Sequence, residues 1–305
     1  MNQISRSALA RVLRVNRVLF DSVKSWINHR GASKGAALAF YTLFSMTPVL
    51  ILAIAVAGYF FGAEAAQGEI IAQLQGLVGP NGAQVIQAVL AAARDPASGL
   101  MAAFVSSALL LVGATSVFTE LKNSLDDLWG VEQPVPSGIV ALLRTRVLSF
   151  GIILVLAFLL LISLIVSAAL ALLARYAGGF WGDSAAVLGA LSSLISFGVI
   201  ACLFAVIYKM LPNVVLAWRD VWVGALVTAA LFSLGKYAIG LYLGNSAVAS
   251  GFGAAGSVIA LLLWVYYSAQ IFFLGAEFTR QYSLRFGSRQ HDINSEGNTS
   301  QVSRA

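Results

Sequence analysis

The stretch GAALAFYTLFSMTPVLILAIAVAGYFFG, residues 35–62, contains no charged side chain. It is longer than the roughly 20 apolar residues that a helix needs to cross the ~30 Å hydrocarbon core of a bilayer. Inside that core every backbone amide must be hydrogen-bonded within the protein, which leaves helices or closed barrels. A continuous apolar run lacks the period-two alternation of a barrel strand, so this stretch predicts a membrane-spanning helix.

Five further stretches are also long and predominantly apolar, with few or no charged residues, and mostly short charged or polar connections separate them. They cover residues 99–118, 147–174, 185–211, 221–243 and 257–282. The sequence therefore predicts an all-α membrane protein with a six-transmembrane-helix bundle over residues 35–282. Residues 1–34 precede this bundle on the cytoplasmic side. A polar tail follows it over residues 283–305, and its composition predicts disorder.

The composition agrees with a membrane bundle and excludes several other classes of protein. Hydrophobic residues make up 59% of the chain and charged residues 10%, where soluble domains have about 25% charged residues. Cys202 is the only cysteine, which excludes a disulfide framework or a cysteine metal cage within one chain. The two histidines, His29 and His291, form no recognisable catalytic or metal-binding motif. We therefore expect no catalytic residues, no metal, no cofactor and no enzymatic activity.

The positive charges alternate between the two sides of the predicted bundle. Lys and Arg are frequent before residue 35, after the second and fourth spans and in the C-terminal tail. The other connections contain only Arg94 and Arg175. Since cytoplasmic segments of membrane proteins carry the excess of Lys and Arg, we expect both termini to be cytoplasmic.

Two segments outside the predicted spans have the apolar spacing of amphipathic helices. Residues 6–28 alternate apolar residues with arginine and lysine, which predicts a basic helix on the cytoplasmic leaflet. A nucleic-acid-binding arm is the less favoured interpretation of this segment. Residues 63–98 predict two short outer helices about a turn at residues 79–82, lying over the outer mouth of the bundle.

Polar groups inside the spans are the best candidates for function, because a charge in a bilayer costs about 2.5–3.5 kcal/mol on insertion scales. The first, fifth and sixth spans supply a predicted substrate pathway of polar residues and one helix-kinking proline: Tyr41, Ser45, Pro48, Lys236, Tyr266, Gln270 and Glu277. The three residues of the sixth span share one helical face. Structural contacts between helices are the alternative role for that group.

The charged members of the pathway are expected at opposite depths of the membrane. Glu277 should lie near the inner boundary, within reach of Arg219 and Asp220 or of Lys122. Lys236 lies roughly 24 Å along its helix from Asp220, toward the outer third of the span. It either extends to the surface or lines an outward cavity for anionic head groups, and it should not pair with Glu277.

Several short stretches together resemble the YihY/BrkB family of bacterial inner-membrane proteins. They include AALAFYTLFSMTP over residues 36–48, LPN over 211–213, GAAG over 253–256, LWVY over 263–266 and GAE over 275–277. The resemblance covers most of the chain and implies six membrane helices in the bacterial inner membrane. Members of the family have been labelled as virulence factors, as a ribonuclease (ribonuclease BN) and as participants in lipid or lipopolysaccharide export.

These observations favour a transporter or flippase for a lipid or another amphipathic or anionic substrate. The alternative is a membrane scaffold without transport, which would organise lipids or proteins of the envelope. A ribonuclease fits poorly, because the sequence shows neither a metal-ligand cluster nor a soluble catalytic domain. The expected partners are membrane lipids, with anionic head groups at the cytoplasmic leaflet, and not nucleic acid. The substrate, the energy source and the formation of a homo-oligomer are left open.

Overall fold

A computed structural model describes residues 3–92, 116–131, 184–245 and 254–290 of the chain. Within these ranges the regular secondary structure is α-helical, as the sequence predicts. The helices are α1 (Gln3–Asn28), α2 (Gly31–Phe61), α3 (Ala63–Ala92), α4 (116–128), α5 (Ser184–Met210), α6 (Trp218–Asn245) and α7 (Ala254–Phe286).

Three helices of the described part are long and apolar enough to cross a membrane. The qualifying segments are Ser193–Met210 of α5, Trp218–Ile239 of α6 and Val258–Phe286 of α7. They coincide with the last three predicted spans, so the prediction of a helical membrane protein is confirmed.

The remaining predicted spans have different outcomes. The span at residues 35–62 falls within the continuous helix α2, apart from its last residue. The span at 147–174 and most of the span at 99–118 lie outside the described residues, so the count of six stays a prediction. The predicted tail begins too early, because α7 continues to Phe286 and Ser288 is hydrogen-bonded to the start of α6.

The helix α7 lies at the centre of the described bundle and packs against α1, α2, α3 and α6. Its residue Phe273 is fully buried in a core that also contains Leu125 of α4 and Val221 of α6. Tyr208 of α5 donates a hydrogen bond of 2.7 Å to the carbonyl oxygen of Phe272, which joins α5 to α7. The same core contains Leu38 of α2, so one apolar core joins five helices at the end of the bundle where α5 ends and α6 begins.

Small residues bring α6 and α7 into close contact at two levels. A Cβ atom added to Gly224 would lie 1.8 Å from the Thr279 hydroxyl oxygen, and one added to Gly275 would lie 2.0 Å from the Thr228 hydroxyl oxygen. Both hydroxyls donate to carbonyl oxygens of their own helix, at Gly275 and Gly224 respectively. Close backbone approach at small residues is the usual means by which membrane helices associate, since hydrocarbon provides no hydrophobic driving force between them.

The helix α3 is continuous, so the prediction of two short helices about a turn at residues 79–82 is wrong. Leu50 and Ile54 of α2 are buried together with Ile86 and Leu90 of α3. This packing along α2 outweighs the backbone hydrogen bond that Pro80 removes from the helix interior. Whether α3 covers the outer mouth of the bundle stays a prediction.

Candidate functional site

Glu277 is the most deeply buried ionisable group of the membrane-crossing segment of α7. Its side chain has no exposed surface, and its Oε1 atom lies 2.5 Å from Nδ1 of His29. Arg280, one turn further along α7, brings Nη1 within 3.9 Å of Oε2, which is too far for a hydrogen bond. The Oε2 atom therefore remains buried without a hydrogen-bond partner among the described residues.

A sharp turn between α1 and α2 carries His29 to this carboxylate. Arg30 adopts the left-handed conformation, with φ 54° and ψ 42°. Residues other than glycine, asparagine and aspartate rarely adopt this conformation. Trp26 packs directly against the first residue of α2, because a Cβ atom at Gly31 would lie 2.2 Å from its Nε1 atom. The turn therefore fixes the end of α1, and with it His29, beside α7.

Three polar pairs hold α1 antiparallel to α7. Asp21 pairs with Arg285, Ser25 accepts a hydrogen bond of 2.9 Å from Gln281, and His29 pairs with Glu277. Each step of four residues forward along α1 matches a step of four residues back along α7, which is about one helical turn on both. We name these three pairs the polar ladder. The predicted position of α1 on the cytoplasmic leaflet stays a prediction, but its residues 21–29 run alongside α7.

A cavity of about 440 Å³ opens between α1, α6 and α7. Apolar residues dominate its lining, which consists of Val23, Trp26, Leu231, Leu234, Gly235, Ala238, Tyr267, Gln270, Ile271 and Leu274. Neither Glu277 nor Lys236 belongs to this lining. Of the lining residues, Gln270 relates the cavity to the polar ladder, because it lies two helical turns before Glu277 on the same face of α7.

Gln270 also connects α7 to the start of α2. Its Nε2 atom lies 3.4 Å from the carbonyl oxygen of Ala32, and a Cβ atom at Gly35 would lie 2.0 Å from Nε2. Its Oε1 atom is buried without a hydrogen-bond partner among the residues described, and the same is true of Trp26 Nε1. An acceptor and a donor are thus unsatisfied in two side chains that line the cavity.

The other residues of the predicted pathway are dispersed. Tyr266 is half-buried, Tyr41 is exposed and Ser45 is buried at 2% exposure. Pro48 lies inside the continuous helix α2, and its side chain and the expected kink lie outside what the structure describes. The prediction that these residues line one path therefore stays a prediction.

Lys236 lies apart from the rest of the predicted pathway. It is exposed on α6, and its Nζ atom lies 5.7 Å from the ring centroid of Tyr237, which is itself 70% exposed. Glu277 contacts His29 and Arg280 instead. The contact with an exposed aromatic ring favours the interpretation in which the lysine side chain follows the bundle surface.

The expected partners of Glu277 at the inner boundary are corrected, because each has another contact or is exposed. Lys122 pairs with Asp126 at 2.5 Å. Asp220 accepts hydrogen bonds of 2.7 and 2.9 Å from the backbone and side chain of Ser288. Arg219 is exposed. His29, the true partner, is 248 residues from Glu277 in the chain, so no local pattern predicted the pair.

A second buried carboxylate orders the connection between α5 and α6. Asp126 of α4 is 1% exposed and accepts hydrogen bonds from the backbone and side-chain nitrogen atoms of Asn213, at 2.7 and 3.0 Å. Together with Lys122 these contacts satisfy the carboxylate, so we interpret this cluster as structural. Among the described residues, His, Cys, Asp and Glu side chains form no group of three that would hold a metal ion.

The chemical capacity of the site follows from the pair at its centre. A carboxylate and an imidazole in hydrogen-bond contact can exchange a proton inside the bundle. A carboxylate oxygen without a partner can accept one further hydrogen bond from a water molecule or a ligand. The site can therefore bind a polar group at the end of an otherwise apolar wall.

Comparison with known proteins gives one family and several relatives. A family described as "Virulence factor BrkB" matches residues 22–299. A UPF0761 membrane protein of Verminephrobacter eiseniae is 32% identical over 83% of this chain and 58% of its own length. The UPF0761 membrane protein RSc1559 of Ralstonia nicotianae is 30% identical over 79% of this chain and 53% of its own. A relative from Pseudoalteromonas atlantica is 26% identical over 84% of both chains.

The coverage of these relatives differs. The chain spans little more than half the length of the first two relatives, 58% and 53%. No solved structure gives a significant match.

Proposed function

We propose that this chain, which belongs to the BrkB virulence-factor family of membrane proteins, moves a lipid or another amphipathic, anionic molecule across the membrane. The observation that carries the proposal is the fully buried carboxylate of Glu277 in a helix apolar enough to cross a bilayer. Ionisable groups in that position are costly and commonly belong to substrate or ion pathways.

The incomplete hydrogen bonding of Glu277 favours this role over a purely structural one. Asp126, the structural carboxylate, has partners on both oxygens. Glu277 has a close partner on Oε1 alone, while Oε2 is buried without a hydrogen bond. An unsatisfied buried acceptor costs about 1–3 kcal/mol, so a group of this kind needs a reason to be retained. A polar substrate group or a water molecule that enters the site supplies that reason.

The arrangement around the carboxylate fits an amphipathic substrate. Gln270 lies roughly 10 Å from Glu277 along α7, two turns away on the same face. The cavity, whose lining includes Gln270, is mainly apolar and lies between α1, α6 and α7. The polar ladder begins two turns further along α7, where Glu277 contacts His29 at the end of α1. A molecule with a hydrocarbon part and a polar part finds complementary surfaces in this order along α7.

The location and orientation belong to the same proposal. We place the chain in the bacterial inner membrane, as a multi-pass protein with both termini in the cytoplasm. The ends of α1 and α7 and the connection between α5 and α6 lie at the same end of the bundle, where Asp220 contacts Ser288 and His29 contacts Glu277. The predicted topology requires this common end.

The proposed transport includes no catalytic step and no cofactor. The driving force is an ion or substrate gradient or a partner protein. Because the ionisable side chains of His29 and Glu277 are in contact, a proton gradient is the first one to test. The partners required by the proposal are membrane lipids.

The test uses purified protein in sealed vesicles that contain fluorescently labelled phosphatidylglycerol or phosphatidylethanolamine. The rate at which the label crosses the bilayer is measured by chemical quenching from outside, with and without an imposed proton gradient. We expect Glu277→Gln to lower the rate at least tenfold, equivalent to about 1.4 kcal/mol in the barrier. Glu64→Gln, the same change at an exposed position of α3, is the matched control and should retain the rate. A fully active Glu277→Gln protein that folds normally would remove Glu277 from the pathway.

The second candidate function is a membrane scaffold without transport. The close α6–α7 contact at Gly224 and Gly275 favours it, since such packing makes a rigid core. The exposed position of Lys236 is also expected for a scaffold. Vesicles that show no protein-dependent lipid movement under either gradient condition would favour this candidate.

A further inference from the structure

We propose that the cavity between α1, α6 and α7 binds one acyl chain of an anionic phospholipid whose phosphate lies at the basic residues of α1. The inference rests on the proposed function, for which it names the substrate class and its entry site. Its test measures binding, so that it can fail or succeed separately from transport.

The cavity is lined mainly by apolar side chains and opens on the surface of the bundle. Its volume of about 440 Å³ lies within the ~300–1,000 Å³ range of ligand sites. The α6 wall contains Leu231, Leu234 and Ala238, and the last two are exposed on the surface of the bundle. An apolar groove that opens on the surface of a membrane-crossing helix is in contact with lipid, and a hydrocarbon chain matches its lining.

Two side chains that line the cavity, Trp26 and Gln270, carry polar atoms. Trp26 Nε1, a donor, and Gln270 Oε1, an acceptor, both lack partners among the described residues. Both atoms are covered by their neighbours, so a ligand reaches them only after the side chains rotate. Tryptophan is enriched at the level of lipid head groups, where its ring is buried and its N–H finds a polar partner. The Trp26 N–H therefore suits an ester carbonyl oxygen of a bound lipid, which can only accept a hydrogen bond.

The exposed basic residues of α1 are complementary in charge to an anionic head group. Arg17, Lys24 and Arg30 are exposed, and none of them has an ion-pair partner in the part of the chain that the structure describes. Lys24 directly follows Val23, which lines the cavity. Lys and Arg side chains near a membrane surface attract anionic lipids. The head group expected above this groove is therefore anionic rather than zwitterionic.

One face of α1 is apolar and exposed. Phe20, Val23 and Ile27 are 71%, 45% and 61% exposed and recur at three- and four-residue spacing on one face. An exposed apolar stripe beside basic residues is the pattern of a helix that inserts among lipid head groups. The polar ladder holds the opposite part of α1 against α7, and Val23 belongs to both the stripe and the cavity lining, so the two surfaces are continuous.

The experiment measures lipid binding to the full-length protein in detergent micelles by native mass spectrometry. Phosphatidylglycerol and phosphatidylcholine with identical chains are titrated separately, and glycerol phosphate is added as a competitor without a chain. Ala238→Phe places a ring in the groove from an exposed lining position. Ala230→Phe makes the same change at an exposed position of α6 outside the lining, and it is the matched control.

The expected result is one tightly bound phosphatidylglycerol, weaker phosphatidylcholine binding and no competition by glycerol phosphate. Ala238→Phe should weaken phosphatidylglycerol binding about tenfold, equivalent to about 1.4 kcal/mol, because the ring takes up space that the acyl chain needs. Ala230→Phe should leave binding unchanged. Lys24→Gln should lower the preference for phosphatidylglycerol over phosphatidylcholine about fivefold and leave phosphatidylcholine binding unchanged.

Three results would overturn the proposal. Equal binding to both alanine variants would show that the groove holds no chain. Equal affinity of the wild-type protein for both lipids would remove the assignment of the head group. A dimer that Ala238→Phe dissociates, in the absence of bound lipid, would give the groove to a second copy of the chain. Specific binding without any lipid movement in vesicles would contradict the proposed function and leave the binding site intact.

Discussion

The substitution Gly275→Ala tests the close contact between α6 and α7, on which the geometry of the bundle depends. The added Cβ atom would lie 2.0 Å from Thr228 Oγ1 and 2.7 Å from the Tyr208 hydroxyl. Contacts this short force the helices or side chains to move, and overpacking of a core costs about 1–3 kcal/mol.

The net effect of Gly275→Ala also includes two smaller contributions. A displaced Tyr208 weakens its hydrogen bond to the Phe272 carbonyl oxygen, which is 2.7 Å long in the structure. Interhelical hydrogen bonds in membranes are worth about 0.6 kcal/mol on average. Alanine regains about 0.5–1 kcal/mol of helix propensity relative to glycine. The expected net loss is about 2 kcal/mol in the free energy of unfolding.

The assay is the melting temperature of the purified protein in detergent, measured from the loss of the monodisperse peak after heating. A loss of about 2 kcal/mol corresponds to a decrease of roughly 4–8 °C for a protein of this size. Gly198→Ala is the matched control, because a Cβ atom there has no neighbour within 4 Å. It should leave the melting temperature unchanged or raise it slightly.

Thr228→Ala supplies the specific check of the cause. It removes the atom nearest to the new methyl group, so the double variant should melt closer to the wild type than the sum of the single effects predicts. Equal melting temperatures for Gly275→Ala and Gly198→Ala, or strict additivity with Thr228→Ala, would refute the described contact between α6 and α7.

Two further predictions concern the charged contacts of the bundle. Asp21→Arg should destabilise the protein, because it places two positive charges together at Arg285. Adding Arg285→Asp should restore about 0.2–1 kcal/mol of the free energy of unfolding, the usual range for a partly exposed pair. A double variant no more stable than either single variant would contradict the polar ladder. Asp126→Ala should cost about 3 kcal/mol and make the α5–α6 connection sensitive to protease, because the amide groups of Asn213 lose a charged acceptor. Asp127→Ala, with a side chain 63% exposed, should have a much smaller effect; similar protease sensitivity in both variants would argue against that role of Asp126.

The membrane helices could be predicted from the sequence because the length of an apolar run is a local property. The segments of α5, α6 and α7 that qualify as spans coincide with long stretches of the chain that are predominantly apolar. The depth of Glu277 in the membrane, predicted from its position near the end of the last stretch, stays a prediction. For α3, local signals were misleading, because Pro80 suggested a turn that packing against α2 overrides.

The partners of the charged residues could not be predicted, because they depend on the register between distant helices. The pair of His29 with Glu277 requires the antiparallel alignment of α1 on α7 and the left-handed turn at Arg30. Nothing in the sequence near either residue specifies that alignment. Lys34 and Asp127 form an ion pair across a separation of 93 residues for the same kind of reason.

The most direct test of the transport proposal compares sealed vesicles containing the wild-type protein with protein-free vesicles of the same lipids. The measured quantity is the rate at which labelled phosphatidylglycerol becomes accessible on the opposite side. We expect a protein-dependent rate under at least one of the two gradient conditions, and loss of that rate in Glu277→Gln. Equal rates in both kinds of vesicle, with and without a proton gradient, would contradict the proposed transport.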